Sequence, residues 1–211
     1  MIKFFKNYKR NQGMTYVELI VVLSIFASLS TVVMFNYNEF QERIDIKNLS
    51  SDIALKVVEA QKSSISGRLP PSQPVGGQNW KPSYGVYLNP ATDNEFFYCF
   101  TDINQNCIDP LLDTSSVCMD EDESLEQIIL PKGNIIDGLS FLDRGDTSPD
   151  DLQGLTDLTI SFVRPSGSAI FRSTDTSFDP DNVDYVQITV KSPKDTTANI
   201  KIYSSGNIDI R

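Results

Sequence analysis

The chain has 211 residues, with 18 basic and 28 acidic side chains, a formal net charge of −10 and no histidine. This acidity disfavours a nucleic-acid-binding surface, which requires a basic patch. Without histidine, the familiar Ser–His and Cys–His activations of a nucleophile cannot be built. No glycine-rich phosphate loop occurs, and the paired carboxylates lie in acidic loops, so we expect no enzyme.

The amino terminus combines a basic leader with an apolar stretch. Residues 1–13, MIKFFKNYKRNQG, contain four basic residues and no acid, and residues 14–35 then form an apolar run of 22 residues. About 20 such residues span a bilayer. Under the positive-inside rule the leader stays in the cytoplasm, and residues after about 36 face outward. An uncleaved signal anchor that holds an extracellular domain is the alternative, since no small-residue cleavage site follows the apolar run.

Glu18 is the one charged residue in the apolar stretch 14–35. A charge inside a membrane span is penalised by roughly 2.5–3.5 kcal/mol, so it usually has a partner. Cleavage of the Gly13–Met14 bond would supply one, because it creates an α-amino group on Met14. Glu18 of a neighbouring subunit could neutralise that group. These residues therefore predict a secreted filament subunit.

The segment QGMTYVELIVVLSIF resembles the class III signal of type IV pilins and of type II secretion pseudopilins. That signal is a short basic leader ending in Gly, a cleavage site, and an apolar helix with Glu as its fifth residue; here these positions are Gly13, Met14 and Glu18. Met14 stands where Phe is more usual, and no Pro interrupts the apolar helix.

The resemblance implies a set of partners and a fate for the chain. A prepilin peptidase in the membrane would cleave after Gly13 and methylate the nitrogen of Met14. The subunit would lie in membrane lipid, with its N-terminus inside and its C-terminus outside. The inner-membrane assembly machinery would then add it to other pilin subunits in an extracellular filament. The filament's task, whether adhesion, motility, DNA uptake or secretion, stays open.

The helix is predicted to continue beyond the membrane, over residues 36–66. This segment contains no Gly or Pro until Gly67, which is typical of a helix end. At 100° per residue, one apolar stripe comprises Ile46, Leu49, Ile53, Val57 and Ala60. A second, on the roughly opposite side, comprises Tyr37, Phe40, Ile44, Leu55 and Val58. Two stripes indicate two partners, the chain's own sheet and neighbouring helices; a helix enclosed within one larger domain is the alternative.

The remainder, residues 67–211, is predicted to form a β-rich extracytoplasmic head domain. After a Gly- and Pro-rich loop that contains Trp80, alternating apolar and polar residues indicate half-buried antiparallel strands. The predicted strands are 84–88, 95–101, 126–130, 158–164, 169–172, 185–191, 199–203 and 207–210. The first two resemble the hairpin that follows the helix in pseudopilins. A long helix packed on an antiparallel sheet predicts an α+β, pilin-like fold.

Acidic residues concentrate in three predicted loops, 111–126, 142–153 and 173–184, whose usual interpretation is a solvated surface. Near the first loop, oxygen-bearing side chains follow the 1, 3, 5 and 12 spacing of a calcium loop. They are Asp102, Asn104, Asn106 and Asp113. Cys107 occupies the position that such a loop reserves for Gly, so a plain Asx-rich turn is the alternative. No other cofactor is expected.

Cys99, Cys107 and Cys118 allow one disulfide and leave one thiol. Cys107 and Cys118 lie in the loop region and approach each other most freely, but sequence leaves all three pairings open. The spacing and the lack of histidine disfavour zinc.

Two functions follow from the sequence. The first is a type IV pilin or pseudopilin subunit, assembled through its amino-terminal helix. The second is a membrane-anchored extracellular binding domain that does not polymerise. Glu18 and the leader ending in Gly13 favour the first, because an inert anchor needs neither. Without the leader the chain carries a net charge of −14, so a nucleic-acid partner is not expected from its charge.

Overall fold

The computed structural model describes residues 13–68, 82–102, 124–146, 148, 151–162 and 164–211, without the side chains of residues 35, 36, 38 and 39. In these ranges the chain is α+β. It begins with the 51-residue helix α1, Tyr16–Ser66. The chain divides into two compact units, Met1–Gln41 and Glu42–Arg211, so that the second half of α1 belongs to the larger unit, which we call the head.

Ten strands follow the helix in the described ranges. They are β1 (Ser83–Leu88), β2 (Phe96–Asp102), β3 (Ser124–Ile129), β4 (Ile135–Asp143), β5 (Gln153–Leu155), β6 (Leu158–Phe162), β7 (Ala169–Arg172), β8 (Val183–Lys191), β9 (Thr197–Tyr203) and β10 (Ile208–Ile210). They form two five-stranded sheets, sheet A in the order β3-β2-β1-β6-β7 and sheet B in the order β10-β9-β8-β4-β5. Every neighbouring pair is antiparallel.

One hydrophobic core joins the head's part of α1 to both sheets. The predicted inner stripe of the helix is buried at every position, with Ile53 only 1% and Val57 0% exposed. Leu55, on the opposite side, is 63% exposed. The inner stripe is therefore confirmed, because it packs in the chain's own core. Of the second stripe within the head, Ile44 and Leu55 are exposed and Val58 is half-buried, and neighbouring helices as its partner stay a prediction.

Helix α1 ends at Gly67 because the backbone there enters the left-handed region, with φ +67°. The Gly67 N–H donates to the Ser64 carbonyl and the Arg68 N–H donates to the Ser63 carbonyl, each at 3.2 Å, which is the Schellman pattern. The Arg164 Nε also donates to the Ser64 carbonyl, at 2.7 Å. A cation thus lies at the carboxyl end of the helix, where the helix dipole favours it.

Polar contacts attach α1 to the strand connections along its length in the head. Near the start of the head, Glu42 accepts a hydrogen bond from Ser192 (2.5 Å) and pairs with Lys194 (3.3 Å). Near the end of α1, the Gln61 amide donates to the carbonyls of Gly167 (2.8 Å) and Gly206 (3.3 Å). The helix is therefore held at both ends of its head segment.

All eight predicted strands are confirmed, with ends that differ by up to two residues. The expectation of one sheet is wrong, since two are present in the described residues. Strands β4 and β5 were not predicted. In β4 the register shifts at the bulge between Ile136 and Gly138, which breaks the alternation of apolar and polar residues. The predicted loop 142–153 consequently overlaps the end of β4 and the start of β5.

Candidate functional site: the amino-terminal apolar helix

Thr15 caps the start of α1. Its hydroxyl accepts a hydrogen bond from the Glu18 N–H at 3.3 Å, and its carbonyl accepts one from the Leu19 N–H at 3.1 Å. Thr15 and Glu18 stand at the spacing of a capping box, in which a Thr at the N-cap is followed three residues later by Glu. Gly13 and Met14, the predicted cleavage site, lie outside the helix.

The segment Tyr16–Met34 is long and apolar enough to cross a membrane, with 19 residues and a mean hydropathy of 2.3. None of it is buried within the part of the chain that the structure describes, and an amino-terminal signal sequence would meet the same criteria. Large apolar side chains such as Phe26 (69% exposed) and Leu29 (62%) are exposed along it. Such extensive apolar exposure is unfavourable in water and is typical of a segment that contacts lipid or a partner.

Three hydroxyl side chains in this segment donate hydrogen bonds to carbonyls of the helix itself. Ser24 donates to the Val21 carbonyl (2.8 Å), Ser28 to the Ile25 carbonyl (2.8 Å) and Thr31 to the Ala27 carbonyl (2.9 Å). These polar groups are thereby compatible with a hydrocarbon environment, in which each polar group needs a local partner.

Glu18 differs from those hydroxyls. It is the one charged residue between positions 16 and 34. Its side chain is exposed, and it forms no ion pair within the part of the chain that the structure describes. The helix dipole stabilises a carboxylate in the first turn by about 0.3–1 kcal/mol. That is less than the roughly 2.5–3.5 kcal/mol that a charge costs within a membrane span.

A cleft of about 320 Å³ in the head was not predicted. It lies between α1 and the β1–β3 side of sheet A and is lined in part by Lys56, Cys99 and Glu126. The Lys56 ammonium bridges to the Glu126 carboxylate at 2.9 Å, and this hydrogen bond raises the pKa of Lys56. No sequence pattern marks these residues, because helix and strands approach each other only in the folded head.

Of the predicted calcium ligands, Asp102 lies at the end of β2, fully buried, and accepts a hydrogen bond from Ser83 at 3.0 Å. Asn104, Asn106 and Asp113 lie outside the described residues. Within the described ranges no three or more His, Cys, Asp or Glu side chains gather as a metal site would require. Calcium binding therefore stays a prediction.

Cys99 lies in β2 as a free thiol. Burial raises the pKa of Cys99 to about 11, so the thiol stays protonated at neutral pH. Cys107 and Cys118 lie outside the described residues, and their pairing remains a prediction.

Comparison with known proteins does not assign the chain to a family. No protein-family model matches the chain, and neither the characterised proteins nor the solved structures contain a significant match.

Proposed function

We propose that this chain is a structural subunit of a type IV pilus or pseudopilus, processed by a prepilin peptidase and assembled through its amino-terminal helix into an extracellular filament. The observation that carries the proposal is the placement of Glu18. It is an exposed carboxylate in the first turn of an apolar helix that no other described residue covers. It stands four residues after Met14, where cleavage would create an amino group.

The energetics of Glu18 support assembly between subunits. In lipid, the carboxylate of one subunit and the amino group of the next are both unfavourably placed. Pairing the two removes both penalties at once. Such buried pairs contribute more to specificity than to net stability, so the pair serves to set the register of each added subunit.

The outer side of α1 supports the same proposal. Ile44 (36% exposed) and Leu55 (63%) are exposed apolar side chains on the outer surface of the helix in the head. In a filament, neighbouring subunits would cover this surface. A monomeric anchor would leave it in water, which makes the non-polymerising alternative less favourable.

Processing is tested by intact-mass analysis of the protein isolated from cells. We expect a chain that begins at Met14 with a methylated nitrogen, and we expect Gly13→Leu to leave an uncleaved precursor in the membrane. A chain that begins at Met1, or is cut beyond residue 35, contradicts the proposal.

The role of Glu18 is tested by separating its charge from its place in the capping box. Glu18→Gln keeps a side chain that the capping box accepts but removes the charge. Thr15→Ala removes the cap but keeps the charge. Since removing one partner of a buried ion pair costs about 3–5 kcal/mol, we expect Glu18→Gln and Glu18→Ala to lower incorporation into sheared filaments by about a hundredfold or more. Thr15→Ala should have a much smaller effect.

Cleavage and membrane insertion are measured in the same cells as the control, and all three variants should match the wild type. If Glu18→Gln is incorporated at the wild-type level while Thr15→Ala is not, Glu18 acts through the capping box and the charge-pairing mechanism is wrong. If no variant of Glu18 changes assembly, or no filament forms, the chain is a monomeric membrane-anchored domain.

A further inference from the structure

Two polar residues lie on the face of β6 that points away from the core, and a third, Asp157, directly precedes the strand. Leu158, Ile160 and Phe162 occupy the core-facing positions of this strand and are 0% exposed. Thr159 and Ser161 therefore occupy the opposite face, because successive side chains of a strand alternate. Asp157, Thr159 and Ser161 are nevertheless buried, with exposures of 2%, 1% and 1%.

Each of these side chains has a buried oxygen without a hydrogen-bond partner among the residues that the structure describes. The atoms are Asp157 Oδ2, Thr159 Oγ1 and Ser161 Oγ. A buried polar atom without a partner is destabilising, and folded proteins leave few such atoms. Two such oxygens on one face of β6 and a third on the residue directly before it therefore indicate that these atoms have a partner other than the described side chains.

Rotation of the Asp157 carboxylate cannot bring its oxygen Oδ2 to a partner, because the other oxygen is already held. Its other oxygen, Oδ1, accepts hydrogen bonds from the Thr174 N–H (2.8 Å), the Thr174 hydroxyl (2.6 Å) and the Ser173 hydroxyl (3.1 Å). These three donors come from the connection after β7 and hold the carboxylate in one orientation. Oδ2 is consequently kept in the buried space beside β6.

Tyr87 of β1 brings a fourth polar group to the same place. It pairs with Thr159 in the register of β1 and β6, so both side chains lie on the same face of sheet A. Its hydroxyl accepts a hydrogen bond from the Asn89 amide at 3.0 Å, which leaves its own proton to donate. Leu88 pairs with Leu158, so Asn89 and Asp157 lie next to that pair at the same end of the two strands. Burial raises the pKa of Tyr87, the Asn89 hydrogen bond opposes this shift, and the Asp157 carboxylate raises the pKa further.

We propose that the outer face of β6 binds buried water, with one water molecule bridging Asp157 Oδ2, Thr159 Oγ1 and the Tyr87 hydroxyl. Three hydrogen bonds are typical of a buried water. The water donates to the carboxylate oxygen and exchanges hydrogen bonds with the two hydroxyl groups. Ser161, two residues further along β6, extends the same hydrated row. The site lies in the head and is independent of the proposed function of the helix.

Water fits these groups better than a cation does. Calcium takes six to eight oxygen ligands, usually including several carboxylates. Here Asp157 supplies one free carboxylate oxygen, and the remaining groups are neutral hydroxyls. The described residues bring no cluster of three acidic, Cys or His side chains together.

The test removes one hydroxyl at a time from the full-length protein in detergent micelles and measures urea unfolding. Thr159→Val keeps the side chain's shape and removes its hydroxyl. If the hydroxyl binds water, we expect the equilibrium constant for unfolding to rise by roughly three- to tenfold. Thr197→Val is the matched control, because Thr197 is an exposed threonine in a strand of sheet B. This variant should unfold at the same urea concentration as the wild type.

Tyr87→Phe should have a similar effect. The double variant of Thr159 and Tyr87 should be less destabilised than the two single effects combined, because both hydroxyls bind the same water.

A crystal structure should show a water oxygen about 3 Å from both Asp157 Oδ2 and Thr159 Oγ1. If Thr159→Val unfolds at the wild-type urea concentration or higher, the hydroxyl has no partner and the proposal is wrong. If calcium shifts the urea midpoint of the wild type and Asp157→Asn abolishes that shift, the site binds a cation and the water proposal is wrong.

Discussion

The two halves of helix α1 are continuous in backbone but differ in what surrounds them. Between residues 16 and 34 most side chains are apolar, and all are exposed. In the head's part of the helix, Ile53 and Val57 are buried while Leu55 between them is exposed. A helix that is apolar on all sides requires an apolar solvent or several partners, whereas one with a single stripe is satisfied by one sheet. The first half is therefore uncovered within the described residues, whereas the second half packs one stripe in the head's core and leaves Leu55 exposed.

The sharpest test of this difference compares three truncations on one helix. Ile53→Ala removes a side chain that is 1% exposed, so we expect the free energy of unfolding of the head to fall by about 2–5 kcal/mol. Leu55→Ala, at 63% exposed, and Leu23→Ala, at 57%, should stay within about 0.5 kcal/mol of the wild type. Urea unfolding of the full-length protein in detergent measures all three.

Under the proposed function, Leu55→Ala should also lower the amount of protein in sheared filaments while its unfolding is unchanged. A head that loses comparable stability with Leu55→Ala and Ile53→Ala would show that both sides of the helix are buried within one chain. The division between inner and outer stripe would then be wrong.

The end of the helix provides the next largest effect. A Cβ on Gly67 would lie 1.1 Å from Arg164 Nη2, and φ there is +67°. Gly67→Ala must therefore displace the guanidinium group and strain the backbone, and we expect a loss of about 1–3 kcal/mol on unfolding in urea. Gly154→Ala is the control, because no atom lies within 4 Å of a Cβ there. Equal stability of the two variants would mean that Arg164 does not fix the end of the helix.

The smallest expected effect concerns the start of the helix within the head, and it depends on pH. The hydrogen bond from Ser192, assisted by Lys194, lowers the pKa of Glu42 below its ordinary value of 4.5. A carboxylate whose pKa is lowered on folding stabilises the protein above its unfolded pKa, and this contribution is lost as the pH falls through the folded value. Below about pH 4.5 the backbone near residue 42 should therefore open more readily.

Hydrogen exchange by mass spectrometry, corrected for the intrinsic pH dependence of exchange, measures this opening. The segment near Gln61, which is held by an amide rather than by a carboxylate, is the internal control and should not respond in this way. Glu42→Gln should open more readily at neutral pH and should lose the pH dependence. An unchanged pH profile in Glu42→Gln would assign the effect to another carboxylate.

Local signals explain which parts of the fold were predictable. The end of α1 follows from Gly67, and the β9–β10 hairpin follows from its Gly-containing turn, where Gly206 has φ +88°. Strand β4 was not predicted, because Asp137 and Gly138 interrupt its alternation of apolar and polar residues at a bulge. Strand β5 has three residues within an acidic segment, too few to show any period.

The sequence by itself determined the helix, its two stripes, most strands and the α+β class. These features depend on residues close together in the chain, where periodicity and turn residues act directly. Only the tertiary structure decided that the strands divide into two sheets, that Arg164 caps a helix about 100 residues earlier and that Lys56 meets Glu126. It also decided that the hydroxyls of Thr159 and Ser161 are buried without partners. Such pairings depend on how distant segments pack, and no local pattern in the chain encodes them.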